Sequence, residues 1–278
     1  GATVVLAASG AAGTLTQPAD VTAGTGVATG SFSANTVGVR TISATVNGVA
    51  ITATANITVN AAPFSAAQST VSLSPTSIVA GGSGTTVTVT VRDAFDNAIS
   101  REAVLVASTG TGNSITQPVA TTDANGVATA TITTTIAEAK TISATVNGNA
   151  VTQTATLTVT AGAVAAAQST VTASASSITA GSGTSTITVT ARDANGNVVP
   201  NAAVTLAATG SGNTITPSSG TTDAAGVFTA AFSATVGGAR TISATIDAVA
   251  ITQTAAVTVT SAGISAAQSL VSVSPGSL

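Results

Sequence analysis

The chain of 278 residues contains no cysteine, histidine, methionine, tryptophan or tyrosine. The lack of cysteine excludes disulfides, thiolate chemistry and cysteine-based zinc sites. Without histidine or cysteine, the usual general base and the usual thiol nucleophile of covalent catalysis are missing, and no serine lies in a nucleophile-elbow context. We therefore expect no enzymatic activity, no catalytic residue and no cofactor.

Charge is also scarce, with 6 basic and 9 acidic residues and a formal net charge of −3. This balance gives no electrostatic footprint for nucleic acid, and we expect no nucleic-acid partner. No apolar stretch approaches the roughly 20 residues that a membrane-spanning helix needs. The abundant threonine and valine instead favour β-strands, because β-branched side chains suit a pleated surface.

The sequence repeats itself at intervals of 100 residues. The segment 41–45 returns at 141–145 and 241–245. A period this long indicates tandem copies of a complete domain, because the unit of a solenoid is only about 20–50 residues long. Gly1 aligns with Arg101 and Leu278 aligns with Ile78, so we expect the first and last copies to be partial. The predicted units are 1–63 (partial, leading strands missing), 64–163, 164–263 and 264–278 (a leading strand of a further domain).

Within each unit the apolar residues alternate with polar ones. Valine and threonine alternate from 85 to 91, which is typical of a strand with one buried and one wet face. Asn147-Gly148 lies between two such strands and fits a tight hairpin turn, since both residues accept positive φ. About seven short strands per unit, separated by turns, predict an all-β fold of tandem Ig-like β-sandwiches.

Two segments, 121–130 and 189–204, resemble the bacterial Ig-like domain of the invasin/intimin type (group 1), and the resemblance extends over every unit. It implies a stalk that holds an adhesive or anchoring module away from a bacterial surface. The chain contains no cysteine-bearing, lectin-like module and no membrane barrel, so no receptor-binding residue can be carried over. A host or surface receptor would be bound by a terminal module outside these residues.

We therefore expect a structural segment of a long bacterial cell-surface or extracellular fibre. Its partners would be neighbouring copies of the same domain and other chains of the same fibre. Two alternatives stay open: a self-assembling multi-chain filament or matrix protein, and an Ig-like array on a phage tail or virion. Very low charge leaves little self-repulsion, which suits bundling as well as it suits a solitary stalk.

One loop resembles a calcium-binding loop, because Asp193, Asn195 and Asn197 alternate along it. The EF-hand pattern requires a glycine at its sixth position and a late glutamate, and this loop has neither. Too few carboxylates are available to supply the usual 6–8 oxygens. We favour an Asx-type turn, in which the side chains bond local amides.

Two further sets of residues keep their character from unit to unit. Each junction carries an apolar residue (Phe64, Val164, Ile264), which either caps the core of the following domain or forms an interdomain wedge that stiffens the array. A basic residue also recurs (Arg40, Lys140, Arg240), which would form an inter-domain or inter-chain charge row. The alternative that we favour is that these residues provide solubility and protect a strand edge. An exposed ion pair would contribute only ~0–1 kcal/mol to stability.

Overall fold

A computed structural model describes residues 1–10, 13–19, 21–272 and 274. Over these residues the chain forms strands and turns but no helix, and hence no helix that could cross a membrane. The contacts divide the chain into two compact units. Unit 1 comprises Gly1–Ile78, Ser83–Thr133 and Glu138–Thr158, and unit 2 comprises Val79–Gly82, Thr134–Ala137 and Val159–Leu278.

In the N-terminal part of unit 1, the described residues form six strands. In one sheet β4 lies between β1 and β6 and also pairs with the short β5, while β2 and β3 form a separate two-stranded ribbon. The strands are β1 (Val4–Ala8), β2 (Gly13–Thr16), β3 (Ser31–Ala34), β4 (Gly38–Val46), β5 (Val49–Ala50) and β6 (Ala55–Val59).

Nine strands follow, and most of their residues belong to unit 1. They are β7 (Thr70–Ser74), β8 (Ser77–Val79), β9 (Thr85–Thr90), β10 (Val104–Ser108), β11 (Asn113–Thr116), β12 (Val127–Thr134), β13 (Ala139–Val146), β14 (Asn149–Ala150) and β15 (Ala155–Thr160). One sheet has the order β11-β12-β9-β7. The other has the order β10-β13-β15-β8, with β14 paired to β13.

Unit 2 repeats this arrangement with one additional strand. Its strands are β16 (Thr170–Ala173), β17 (Ser177–Thr179), β18 (Ser185–Thr190), β19 (Ala203–Ala208), β20 (Asn213–Thr216), β21 (Ser219–Thr221), β22 (Val227–Ala234), β23 (Gly238–Ile246), β24 (Val249–Ala250) and β25 (Ala255–Thr260). One sheet is β16-β18-β22-β20, and the other is β17-β25-β23-β19-β21 with β24 on β23. The inward residues of both sheets form one hydrophobic core, which confirms the predicted all-β sandwich.

The alternation that predicted the strands also fixes their buried faces. In β9, Val87 and Val89 are fully buried, and in β13 Ile142, Ala144 and Val146 are at most 2% exposed. The predicted hairpin turn forms between β13 and β14, where Asn147 and Gly148 have φ of 48° and 84°. These residues therefore behave as the period-2 pattern requires.

The C-terminal segment differs from its counterparts at 64–74 and 164–174. Residues 264–272 contain a turn but no strand, and their side chains are exposed. Val273 and residues 275–278, which belong to the predicted leading strand, lie outside the described residues. The strand predicted within 264–278 thus stays a prediction.

Candidate functional site at the repeat junctions

In the loop that follows β18, backbone amides donate hydrogen bonds to the carboxylate of Asp193. Its Oδ1 accepts hydrogen bonds from the backbone N–H of Asn195 and of Asn197, both at 2.9 Å. An Asp that bonds the amides two and four residues ahead forms an Asx-type turn, as the sequence predicted. One carboxylate oxygen therefore shapes the loop itself.

The second oxygen of Asp193 binds outside the loop. Asp193 Oδ2 accepts one hydrogen bond from the backbone N–H of Gly162 and another from Asn197 Nδ2, both at 2.8 Å. Gly162 belongs to the short segment that joins the two predicted domains. The carboxylate therefore ties this linker to the Asx loop, and all three residues belong to unit 2.

The side-chain amide of Asn197 extends the junction to a loop of the preceding repeat. Its Nδ2 donates to the carbonyl oxygen of Thr135 at 2.9 Å, and its Oδ1 accepts from the N–H of Ala137 at 3.0 Å. Asn195 Nδ2 adds a longer bond to Ala80 O at 3.3 Å. The loop thus contacts the segments 79–82 and 134–137, which belong to unit 2 with it.

The same junction is built a second time, within unit 1. Asp93 Oδ2 accepts the N–H of Ala62 at 2.9 Å, as Asp193 accepts that of Gly162. Asn97 Nδ2 donates to Asn35 O at 2.7 Å, and its Oδ1 accepts from Val37 N–H at 3.1 Å. Equivalent residues thus make the same bonds at both junctions.

Burial and hydrogen bonding shift the pKa of the two junction carboxylates in opposite directions. Asp93 and Asp193 are at most 1% exposed. Burial disfavours the charged carboxylate, but the bonds from the asparagine side chain and from the backbone amides outweigh it and lower the pKa of both groups. Each carboxylate is therefore an anion that amide donors stabilise.

These contacts bear on the calcium candidates Asp193, Asn195 and Asn197. Both oxygens of Asp193 already accept two N–H donors each, and a cation would have to displace them. The described residues contain no cluster of three acidic side chains that could hold a metal ion. The arrangement therefore fits an amide-binding turn better than the oxygen-rich shell that calcium requires.

The three apolar junction residues lie in three different environments. Val164 is 8% exposed, belongs to the core of unit 2 and bridges to Asp193 through the backbone. Phe64 is half-buried and makes the equivalent bridge to Asp93. Ile264 is 96% exposed. Val164 thus caps a core, and the wedge role of this position stays a prediction.

The basic residues Arg40, Lys140 and Arg240 are buried, with exposures of 5%, 1% and 5%. Lys140 Nζ donates to Thr111 O at 2.9 Å and to Glu138 Oε1 at 2.6 Å. These bonds are internal to one repeat, and burial removes the cation from any surface that another domain or chain could reach. This corrects the predicted inter-domain or inter-chain charge row, and equally the alternative of a solvated edge charge.

The guanidinium of Arg240 occupies the equivalent place in unit 2. It donates through Nη2 to the carbonyls of Ser211 at 3.1 Å and Val236 at 2.6 Å, and through Nε to Asn213 Oδ1 at 2.9 Å. Arg40 Nη2 likewise donates to Thr36 O at 2.9 Å. Lys140 and Arg240 therefore each hold two loops together at one end of a sandwich. Within the described residues, Arg40 bonds only the carbonyls of Thr36 and Val39, and its Nε is buried without a partner.

The residues around this cation differ between the repeats that have arginine and the repeat that has lysine. Where the cation is arginine, the residue two positions before it is a glycine with positive φ, Gly38 or Gly238. Where it is Lys140, this position is Glu138, which supplies a counter-charge. Lysine cannot reproduce the Nε bond, and Asn113 Oδ1 is accordingly buried without a partner.

Comparisons with known proteins agree with this architecture. The family model of invasin, domain 3, matches residues 65–162 and again 165–262. Among solved structures, an Escherichia coli adhesin, FdeC, is 28% identical, with a TM-score of 0.55 over 93% of this chain and 85% of that one. No curated protein matches the sequence.

Two further structures share the fold at lower identity. Invasin, described as a bacterial integrin-binding protein, is 20% identical with a TM-score of 0.62, over 93% of this chain and 60% of that chain. InvD of Yersinia pseudotuberculosis is 22% identical with a TM-score of 0.55, over 93% of this chain and 86% of that chain. Because the family model covers more than half of the residues in two tandem matches, the chain belongs to the invasin domain 3 family and is a tandem segment of adhesin-type Ig-like domains.

Proposed function

We propose that this chain is a spacer segment of a bacterial surface adhesin, in which each repeat is locked to the next through an Asp–Asn loop. The observation that carries the proposal is the junction built by Asp93 with Asn97 and again by Asp193 with Asn197. In both copies the Asp binds the linker, and the Asn binds a loop of the preceding repeat.

Such a junction restricts motion for a physical reason. A linker without other contacts would let neighbouring domains swing, and domain interfaces within a chain are mobile by default. Here the linker amide donates to a buried carboxylate, and hydrogen bonds to charged groups are stronger than neutral ones, about 1.5–3 kcal/mol each. A swing at the junction would break this bond together with the two asparagine bonds to the loop.

The location and the partners follow from the same proposal. The related FdeC is an adhesin, and a spacer with stiff junctions works on a cell surface by setting the distance between an anchor and a binding module. In this view the spacer carries no receptor site of its own, and receptor binding belongs to a module joined to it. The charge-poor strand faces suit this mechanical role because they offer little attraction to charged ligands.

Small-angle X-ray scattering of the 278-residue chain tests the proposal. Substitution of both Asp193 and Asn197 by alanine is expected to broaden the distribution of interatomic distances, because the linker amide and the loop carbonyl lose their partners. Asp223→Ala is the matched control, since Asp223 accepts the N–H of Ala225 and Val227 in a similar Asx turn that bonds no linker. Equally broad distributions for the wild type and the double variant would refute the proposal.

A further inference from the structure

Three backbone groups of unit 2 bind the side chains of residues 193–197, which with residues 93–97 are the two Asp–Asn loops of the chain. They are the carbonyl oxygens of Ala80 and Thr135 and the N–H of Ala137. The same groups recur 100 residues later, as the carbonyl oxygens of Ala180 and Thr235 and the N–H of Gly237. In the part of the chain that the structure describes, these later groups make no hydrogen bond. We call Ala180, Thr235 and Gly237 the receiving surface.

The backbone of the receiving surface already has the conformation found where a loop is bound. At the bound surface, Gly81 has φ of 74° and donates its N–H to the carbonyl oxygen of Thr134 at 2.8 Å. At the receiving surface, Gly181 has φ of 77° and donates its N–H to the carbonyl oxygen of Ala234 at 2.9 Å. A partner that fits the first surface therefore meets the same backbone at the second, and binding requires no rearrangement.

A glycine leaves room for an asparagine side chain at each surface. A Cβ on Gly81 would lie only 2.5 Å from Asn195 Nδ2, so the glycine lets this side chain approach. A Cβ on Gly181 would meet nothing within 4 Å. Val236 is 47% exposed, whereas its counterpart at the bound surface, Ile136, is half-buried. The receiving surface thus offers a partner both room and apolar area to cover.

The free backbone groups favour a primary amide as the group that binds them. The carbonyl oxygen of Thr235 requires a donor, and the N–H of Gly237 requires an acceptor. A carboxamide supplies both from one planar group, whereas a carboxylate only accepts and an ammonium only donates. Asn197 uses its carboxamide in this way on the carbonyl oxygen of Thr135 and the N–H of Ala137. The partner should therefore present an asparagine held as Asn197 is.

A second copy of the chain does not provide such a partner. Both of its Asp–Asn loops are already bound internally, through Asn97 and through Asn197. A loop that binds the receiving surface must therefore come from a repeat that is not among those of the described chain.

We propose that the receiving surface binds the Asp–Asn loop of a further Ig-like repeat, joined through the linker 261–263. At each existing junction the Asp lies 31 residues after the linker residue whose N–H it accepts. The corresponding linker residue is Ala262. Covalent joining presents the loop to the surface at a high effective concentration. This inference rests on the proposed function, in which repeats are locked to one another.

The test is amide hydrogen exchange in the 278-residue chain and in an extended chain, in which residues 1–263 are followed by a second copy of 164–263. In the 278-residue chain the Gly237 amide should exchange as it does in an unstructured peptide. In the extended chain the amide of the first Gly237 should exchange about tenfold or more slowly, because an asparagine then accepts it. The Ala137 amide, which Asn197 accepts, is the internal reference and should be slow in both chains.

Two variants of the added copy show whether the carboxamide is responsible. Asn197→Ala, made only in the added copy, should return the first Gly237 to fast exchange. Thr254→Ala in the added copy is the control, since Thr254 is exposed and lies outside the Asp–Asn loop. It should leave the first Gly237 slow. Slow exchange that persists in Asn197→Ala would overturn the proposal.

The reference amide separates this inference from the proposed function. Fast exchange of the first Gly237 in the extended chain, with Ala137 slow, would overturn the inference and leave the proposed function standing. Fast exchange of Ala137 in the 278-residue chain would refute the locked junction itself, and the inference with it. An added copy that does not fold would also overturn the inference, because the same residues fold after the equivalent surface at 164–263.

Discussion

Asn197 donates a hydrogen bond from its side-chain amide to the carbonyl oxygen of Thr135, 62 residues earlier in the chain, at 2.9 Å. The same amide nitrogen also donates to Asp193 Oδ2 at 2.8 Å. One nitrogen thus uses both of its hydrogens, one for the carboxylate that holds the linker and one for a loop of the preceding repeat. Asn197 thus connects the carboxylate that holds the linker to a loop of the preceding repeat.

Asn197→Asp is expected to lower the free energy of unfolding of unit 2 by about 1–3 kcal/mol, because it leaves the Thr135 carbonyl without a donor. It also places a second carboxylate against Asp193, which adds repulsion. Urea unfolding of the chain measures the change. Asn149→Asp, at an exposed position of β14, is the control and should stay within about 0.5 kcal/mol of the wild type. Equal effects of the two substitutions would contradict the role given to Asn197.

The junction should weaken in acid. Hydrogen bonds lower the folded-state pKa of Asp193 below its ordinary value of 3.8 despite the opposing effect of burial. A lowered pKa stabilises the fold above the unfolded-state value, and this contribution is lost as pH falls from about 4 through the folded-state pKa.

The urea midpoint of the wild type should therefore fall more steeply below about pH 4 than that of Asp193→Asn, which carries no titratable group there. The pKa of Asp93 is lowered in the same way, so its contribution to stability should also be lost in acid. If the urea midpoints of the wild type and of the Asp193→Asn variant change in parallel with pH, the Asp193 carboxylate contributes nothing to stability in this range.

Replacing the buried lysine by arginine should stabilise its repeat. The double substitution Lys140→Arg with Glu138→Gly reproduces the Arg240 and Gly238 pair, and the new Nε–H can satisfy the unpartnered Asn113 Oδ1. The gain should be about 1 kcal/mol in the free energy of unfolding.

The single variant Lys140→Arg serves as the comparison for this double substitution. It should gain less, because Glu138 does not share the positive φ that Gly238 adopts beside Arg240, so the single variant does not reproduce the loop around that arginine. Thermal unfolding of both variants measures the difference. A double variant that is less stable than the wild type would contradict the equivalence of the two sites.

The hairpin turn after β23 carries backbone strain that glycine would relieve. Ala248 has φ of 64°, whereas its counterparts are Gly48 and Gly148, with φ of 83° and 84°. A left-handed backbone conformation costs a residue with a side chain about 1–2 kcal/mol. Glycine avoids this cost, but it loses more conformational entropy on folding, which offsets part of the gain. Ala248→Gly should therefore raise the free energy of unfolding by about 0.5–1 kcal/mol.

Gly148→Ala is the reciprocal substitution, and it should destabilise by about 1 kcal/mol. A Cβ there would meet nothing within 4 Å, so the cost comes from φ alone. Urea midpoints that move in the same direction for both substitutions would contradict the strain argument.

Much of the fold could be predicted from the sequence because period-2 alternation and turn residues act locally. The buried faces of β9 and β13, the Asn147-Gly148 turn and the Asx geometry of Asp193 all depend on residues within five positions of each other. The burial of Lys140 could have been found in the same way. Alternate residues of a strand share a face, and Lys140 lies two residues before Ile142 and four before Ala144. Lys140 therefore lies on the inner face of β13.

The junction could not be predicted because its partners are distant in sequence. Nothing local to Asp193 shows that its second oxygen binds the linker 31 residues earlier, or that Asn197 reaches a loop 62 residues away. The repetition of an Asp and an Asn four residues apart, at 93 and 97 and again at 193 and 197, was the available signal.

Residual dipolar couplings of the wild-type chain test the locked junction most directly. If the Asp193 and Asn197 bonds hold the repeats together, the backbone couplings of 64–163 and 164–263 fit a single alignment tensor of one magnitude. Two tensors of clearly different magnitude would mean that the repeats reorient independently, and would contradict the account.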